Sequence, residues 1–74
     1  MPVFSERLRD LRRARGLTQK NLAKESGISY GGIKGYELEI RKPASDAIIK
    51  LADFFNVSTD YLLGRTDIPY MASK

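Results

Sequence analysis

A chain of 74 residues has room for one small domain and one core, burying only about 60% of the surface that its unfolded form exposes. It contains no cysteine and no histidine, which excludes disulfides and the usual zinc sites, and no cofactor is expected. The net charge of +4 is unevenly spread, with ten Lys/Arg against five Asp/Glu in residues 1–42 and three against four in residues 43–74, so an acidic partner would meet the first part of the chain.

Apolar spacing is helical along the whole chain, and no strand-like alternation persists. Phe4, Leu8, Leu11 and Ala14 or Arg15 trace the stripe of a first helix, which Gly16 ends as a C′ residue. Thr18 N-caps a second, whose short apolar face is Leu22 and Ala23 up to Ser26. Gly27 then opens a turn where a positive φ is expected. Ser29 is the next N-cap, and Ile33 and Tyr36 share one face of the helix it starts. The "RKP" stretch marks a loop, because Pro43 disfavours helix at Lys42. A stronger helix starts at Ala44 or Ser45, carries Ile48, Leu51, Ala52 and Phe55 at i, i+3, i+4, i+7, and ends at Asn56. Ser58 caps a last short turn with Asp60 near its positive end and Leu62 and Leu63 facing inward, closed by Gly64. The expected fold is all-α, a compact bundle of about five short helices over residues 4–64. Residues 65–74, "RTDIPYMASK", show no periodicity and read as a frayed terminus, a contact arm or a linker.

The informative segment is "QKNLAKESGISYGGIKGYEL", residues 19–38: a short helix, a Gly-containing turn and a second helix. Such a unit needs a small residue where the helices cross (Ala23), a permissive turn (Gly27) and apolar residues that fix the interhelical angle (Leu22, Ile28, Ile33 and Tyr36), and each position complies. Here the chain resembles the phage repressor and Cro-type helix-turn-helix proteins, the XRE family. The matching pieces are "LRDLRRARGLTQKNLAKESGIS", "I..YE", "RKP" and "LADFFNVSTDYLLG", together spanning roughly residues 4–64. The resemblance implies a lambda-repressor-like bundle that binds double-stranded operator DNA as a homodimer and regulates transcription, as a repressor, with the 29–38 helix in the major groove. A protein inducer or antirepressor is left open.

The resemblance also implies roles for particular residues. Gln19 would hold a phosphate at the start of the second helix, with Lys20 near it. Ser29 would cap the recognition helix near the DNA backbone. Tyr30, Gly31 and Gly35 match positions that face base edges, with Gly32 and Lys34 beside them, while Arg41 and Lys42 match a basic loop that grips phosphate. Arg12 and Glu37 match a structural ion pair between the first helix and the recognition helix. The glycines depart from the family pattern, which carries Gln, Arg, Ser, Thr or Asn at base-reading positions. Three mid-helix glycines cost about 2–3 kcal/mol against alanine. Close approach to the groove floor, ordering of a loose helix on DNA, and readout of DNA shape compete as explanations, the first two together being preferred. Glu39 is a second departure, since the family often has glycine there.

Three function classes follow. DNA-binding regulation leads. The alternative is a protein-interaction module or antitoxin-like regulator on the same fold, which the scarcity of side chains on the reading helix supports. An enzyme fits least: there is no histidine or cysteine for base or nucleophile, and the carboxylates are scattered. No apolar run approaches the roughly 20 residues of a membrane span, and "MPVFSERLRD" is charged too early for a signal peptide, so a cytoplasmic location without membrane contact is expected. Tyr61, Leu62, Ile68, Tyr70 and Met71 are candidates for a dimer interface or for the chain's own core.

Overall fold

In the computed structural model, which describes residues 2–70, five helices follow one another: α1 (Pro2–Ala14), α2 (Gln19–Ser26), α3 (Tyr30–Glu37), α4 (Ser45–Phe55) and α5 (Thr59–Leu62). No strand forms among the described residues. The expected caps are all in place. Thr18, Ser29 and Ser58 have extended backbones and accept from the N–H of Asn21, Gly32 and Tyr61 respectively. At α4 the open choice resolves to Ala44 as N-cap, which offers no side-chain bond. Asp46 in the first turn accepts the Ala47 N–H at 3.0 Å instead.

Helix ends show one device repeated. At the C′ position the chain turns left-handed, and the N–H of the next residue returns to a carbonyl five residues earlier. It appears as Leu17 to Arg12 at 3.1 Å, Ile40 to Gly35 at 3.0 Å, Val57 to Ala52 at 2.9 Å and Arg65 to Asp60 at 2.8 Å. The left-handed residues are Gly16, Glu39, Asn56 and Gly64. Gly16 and Asn56 end their helices as the sequence implies. Glu39, with φ 64°, occupies a conformation that glycine adopts without a Cβ penalty.

The core gathers one stripe from each helix. Phe4 and Leu8 of α1, Leu22 of α2, Ile33 and Tyr36 of α3, Leu51, Ala52 and Phe55 of α4, Val57, and Leu62 of α5 are buried together. Phe4 meets Tyr36 edge-on, with ring centroids 5.9 Å apart. Three details differ from the periodic reading. Ala47 is buried while Ile48 is only half-buried, because the enclosed face of α4, formed by Leu51, Ala52 and Phe55, extends toward the helix start through Ala47 rather than Ile48. Arg15 lies beyond α1, where its guanidinium stacks on Phe54 and Phe55 at 5.0 and 5.1 Å. Leu63 is half-buried, whereas Leu62 is fully enclosed by the chain's own core and offers nothing to a second copy.

The described part of the C-terminal segment is fastened to the bundle. Arg7 of α1 donates to the carbonyls of Tyr61 and Thr66, both at 2.6 Å, and pairs with Asp67 at 2.8 Å. The Ser58 N–H donates to the Pro69 carbonyl at 2.8 Å. Of the candidate interface residues, Tyr61 is half-buried beneath the Arg7 guanidinium, Ile68 and Tyr70 are exposed, and Met71 lies outside the described residues.

Glu39→Gly is expected to raise stability by about 0.5–1 kcal/mol, since it removes the left-handed penalty at the end of α3 while keeping the turn. Urea unfolding checks this as a higher midpoint with an unchanged slope. A lower midpoint would mean that the Glu39 side chain stabilises the turn by more than its backbone costs.

Candidate nucleic-acid interface

Three helices are held in register by one carboxylate. Glu37 closes α3, and its side chain is 2% exposed. Arg12 of α1 grips it with two nitrogens, Nε to Oε2 at 2.6 Å and Nη2 to Oε1 at 2.9 Å. Gln19, first residue of α2, donates its amide to Oε1 at 3.1 Å. Arg9 approaches Oε1 at 3.7 Å and donates to the Glu37 carbonyl at 2.9 Å. The remaining Arg12 nitrogen, Nη1, donates to the Leu17 carbonyl at 2.8 Å, tying in the α1–α2 turn. The Arg12–Glu37 ion pair expected from the sequence is thus present, in a larger network. Arg9 was not anticipated, although its spacing of three from Arg12 puts both on one edge of α1.

Burial opposes ionisation of Glu37. The hydrogen bonds from Arg12 and Gln19, with the charges of Arg12 and Arg9, outweigh it and hold the carboxyl below its ordinary range. The Glu37 bond correspondingly raises the Arg12 guanidinium above its ordinary value, against the effect of burial.

Outside this frame lies the α2–turn–α3 surface. Gly27 makes the turn at φ 80°, and Ser29 starts α3 with its hydroxyl on the Gly32 N–H at 3.0 Å. Tyr30 is 40% exposed, and its ring lies between two ammonium groups, Lys34 at 5.2 Å and Lys20 at 5.6 Å. That arrangement gathers an aromatic face and two cations at the start of α3, each contact being worth about 0.5–1 kcal/mol at an exposed site. Lys20, Ser29, Gly31, Arg41 and Lys42 are exposed with it.

The glycines separate into three kinds. Gly31 is open, and a Cβ there would meet nothing within 4 Å. Gly32 is buried, its would-be Cβ 3.0 Å from the Ser29 hydroxyl that caps the helix. Gly35 is also buried, covered by Arg41. Of the glycines read as facing or flanking bases, only Gly31 presents an open surface; Gly32 makes room for a cap and Gly35 for the loop that returns over it. Gln19 sits where expected, but one N–H of its amide serves Glu37. Leu38, 60% exposed, and Ile40, 78% exposed, carry apolar side chains to the surface just after α3, and Leu38 was not singled out in the sequence. The spacing of Leu38, four beyond Lys34 and eight beyond Tyr30, is the signal that would have found it.

The family model described as helix-turn-helix matches residues 8–62. Among curated proteins, the chain is 45% identical over 67 residues to the uncharacterized HTH-type transcriptional regulator YobD of Bacillus subtilis, covering 90% of this chain and 60% of the relative. It is 40% identical over 65 residues to the HTH-type transcriptional regulator ImmR of Bacillus subtilis, covering 88% and 51%. It is also 40% identical over 62 residues to the cryptic phage CTXphi transcriptional repressor RstR of Vibrio cholerae, covering 84% and 55%. The chain therefore spans only about half to three-fifths of the length of these relatives. A crystal structure of the restriction-modification controller protein C.AhdI from Aeromonas hydrophila superposes with a TM-score of 0.75 at 36% identity, covering 82% of this chain and 92% of that one.

A carboxyl held below its ordinary value of about 4.5 contributes stability that is complete above that pH and lost as the pH falls through the lower folded value. Removing the charge leaves Arg12 unpaired, so Glu37→Gln is expected to cost about 3 kcal/mol at neutral pH. Its stability should also vary less than that of the parent below about pH 4.5. Urea unfolding across a pH series tests both, and parallel pH profiles would show that Glu37 is not the titrating group.

Proposed function

The chain belongs to the helix-turn-helix family, and from that premise we propose that it binds double-stranded DNA in a sequence-dependent way and regulates transcription, as a repressor. The observation that carries this reading is the exposed α2–turn–α3 face. Lys20, Tyr30, Lys34 and Arg41 sit on it with exposed Lys42 next in the chain, none of these cations enters an ion pair among the described residues, and the Glu37 network fixes the angle between its two helices.

The parts divide the work. Two N-termini, those of α2 and α3, present backbone N–H groups and positive potential to phosphates on either side of the groove. Gln19 offers its second amide N–H to a phosphate, its first being held by Glu37, so the donor arrives already oriented. Lys20 and Lys42 add charge to the same backbone contacts. The α3 helix enters the major groove, with open Gly31 letting its axis approach the base edges and Tyr30 and Lys34 reaching them. Residues 4–64 are the unit that does this, with 65–74 as a tail, of which Arg7 holds Thr66 and Asp67. Names of the relatives, two transcriptional regulators and a phage repressor, support regulation of transcription as the outcome.

A homodimer on half-sites about 10 base pairs apart, or a multiple of that, completes the proposal. Exposed Ile68 and Tyr70 beside half-buried Tyr61 support a small apolar contact at that end of the bundle. No helix among the described residues is long and apolar enough to cross a membrane, and we place the protein in the cytoplasm with its DNA.

Selection from a random duplex library is expected to enrich a palindromic site. Affinity for the winner should fall steeply with salt, and Lys42→Ala should lower the slope of log K against log salt by about 0.9. Absence of any enriched site, with only weak salt-sensitive association, would sink sequence-dependent binding and point to a protein partner.

A further inference from the structure

The outward face of α3 is short of side chains, and the structure shows where the missing one is supplied. Gly31 and Gly35 lie four residues apart, on one face of the helix. A Cβ at Gly31 would stand in open space. A Cβ at Gly35 would stand 2.9 Å from Arg41 Cβ, with Arg41 Cδ at 3.6 Å and Cγ at 3.8 Å. Gly35 is therefore roofed by the stem of a residue that belongs not to α3 but to the loop after it. The backbone enforces this. Left-handed Glu39 reverses the chain, and the N–H groups of Ile40 and Arg41 both donate to the Gly35 carbonyl, at 3.0 and 3.2 Å. The contact at 2.9 Å is with a Cβ, which cannot swing aside as a side-chain end can, so only glycine leaves this slot open. The Arg41 residue is exposed, and its guanidinium makes no hydrogen bond or ion pair among the described residues.

We propose that Arg41 is a base-reading residue. Its aliphatic stem crosses the face of α3 through the slot at Gly35, and its guanidinium donates two N–H groups to O6 and N7 of a guanine in the major groove. This inference rests on the DNA-binding reading above and assigns Arg41 a role beyond the phosphate grip expected of its loop. The chemistry fits. A guanidinium matches the guanine edge bidentately, as an ammonium cannot, and a stem already packed on backbone loses less freedom when its head is fixed. A phosphate grip needs only charge and would not require a glycine slot.

The test uses the full chain on its selected duplex. The affinities of the parent, Arg41→Lys, Arg41→Ala and Gly35→Ala are measured on that duplex, on variants with each G·C pair replaced, and on one with 7-deazaguanine at the preferred position. The parent should discriminate about tenfold or more at one G·C pair, and 7-deazaguanine should weaken it there by removing the N7 acceptor. Both Arg41 variants should lose that discrimination, keep it elsewhere, and ignore 7-deazaguanine. Gly35→Ala should reduce it at the same pair, because its methyl displaces the Arg41 stem. Far-UV circular dichroism confirms that Gly35→Ala is folded, and the Arg41 variants carry the test without it. Equal affinities of Arg41→Lys and the parent on every duplex, with Arg41→Ala uniformly weaker and its salt slope lower by about 0.9, would make Arg41 a phosphate contact and overturn the proposal. Failure to enrich any site would overturn it together with the DNA-binding reading.

Discussion

One buried carboxylate sets the geometry of the α2–turn–α3 face. Glu37 stands at the end of α3, yet its bonds reach Arg12 and Arg9 on α1 and Gln19 at the start of α2. The core alone leaves freedom here: Leu22 and Ile33 are apolar contacts that a helix can slide along, since dispersion and desolvation are not directional. The hydrogen bonds are directional. A bidentate guanidinium fixes the rotation of α3 against α1, and the amide of Gln19 fixes where α2 begins. Fully bonded, the carboxylate tolerates burial; with one partner missing, the same burial becomes a cost of several kcal/mol. The start of α2 and the end of α3 are thereby held against α1 as a rigid set.

Much of this was legible because it is local. Thr18, Ser29 and Ser58 cap helices since a hydroxyl two or three residues before a free N–H needs no tertiary help. Gly16, Gly27 and Asn56 mark helix ends for the same local reason. The Arg12–Glu37 pair, 25 residues apart, was legible only through the family resemblance, and that resemblance named two members of a network of four. On α4 the expected Leu51, Ala52 and Phe55 are buried, and only the first position differs, Ala47 being enclosed where Ile48 was expected, because 47 and 48 both extend a helical stripe and the approach of α2 and α5 decides between them. Arg7, with its hold on Tyr61, Thr66 and Asp67, was invisible in the sequence: nothing in residue spacing says that a segment 54 to 60 positions away returns to α1.

The glycines of α3 show the limit most clearly. Read as a helix in isolation, three glycines are a cost of about 2–3 kcal/mol without an obvious return. In the fold they divide into an open position, a cap and a slot: Gly32 leaves room for the Ser29 hydroxyl of its own first turn, and Gly35 is explained by an atom outside its helix, Arg41 Cβ. Propensity scales treat each glycine as a loss of backbone order. They have no way to credit the close approach of another chain segment, which is the second thing that glycine makes possible.

Charge bears the same lesson in another form. The first 42 residues carry a surplus of basic groups, and composition suggests that the surplus is all surface. It is not. Arg7 is occupied by the C-terminal segment, Arg9 and Arg12 by Glu37, and Arg15 by the rings of Phe54 and Phe55. The cations of this region that enter no ion pair or ring contact among the described residues are Arg13, Lys24, Arg41 and Lys42, while Lys20 and Lys34 flank Tyr30. The arginines of α1 therefore work mainly as bidentate fasteners and stacking groups. The lysines, whose charge is compact and hydrated, are left at the surface. Arg41, like Arg13, has its fork unoccupied, and it alone of the two is held over a glycine, its stem packed on Gly35.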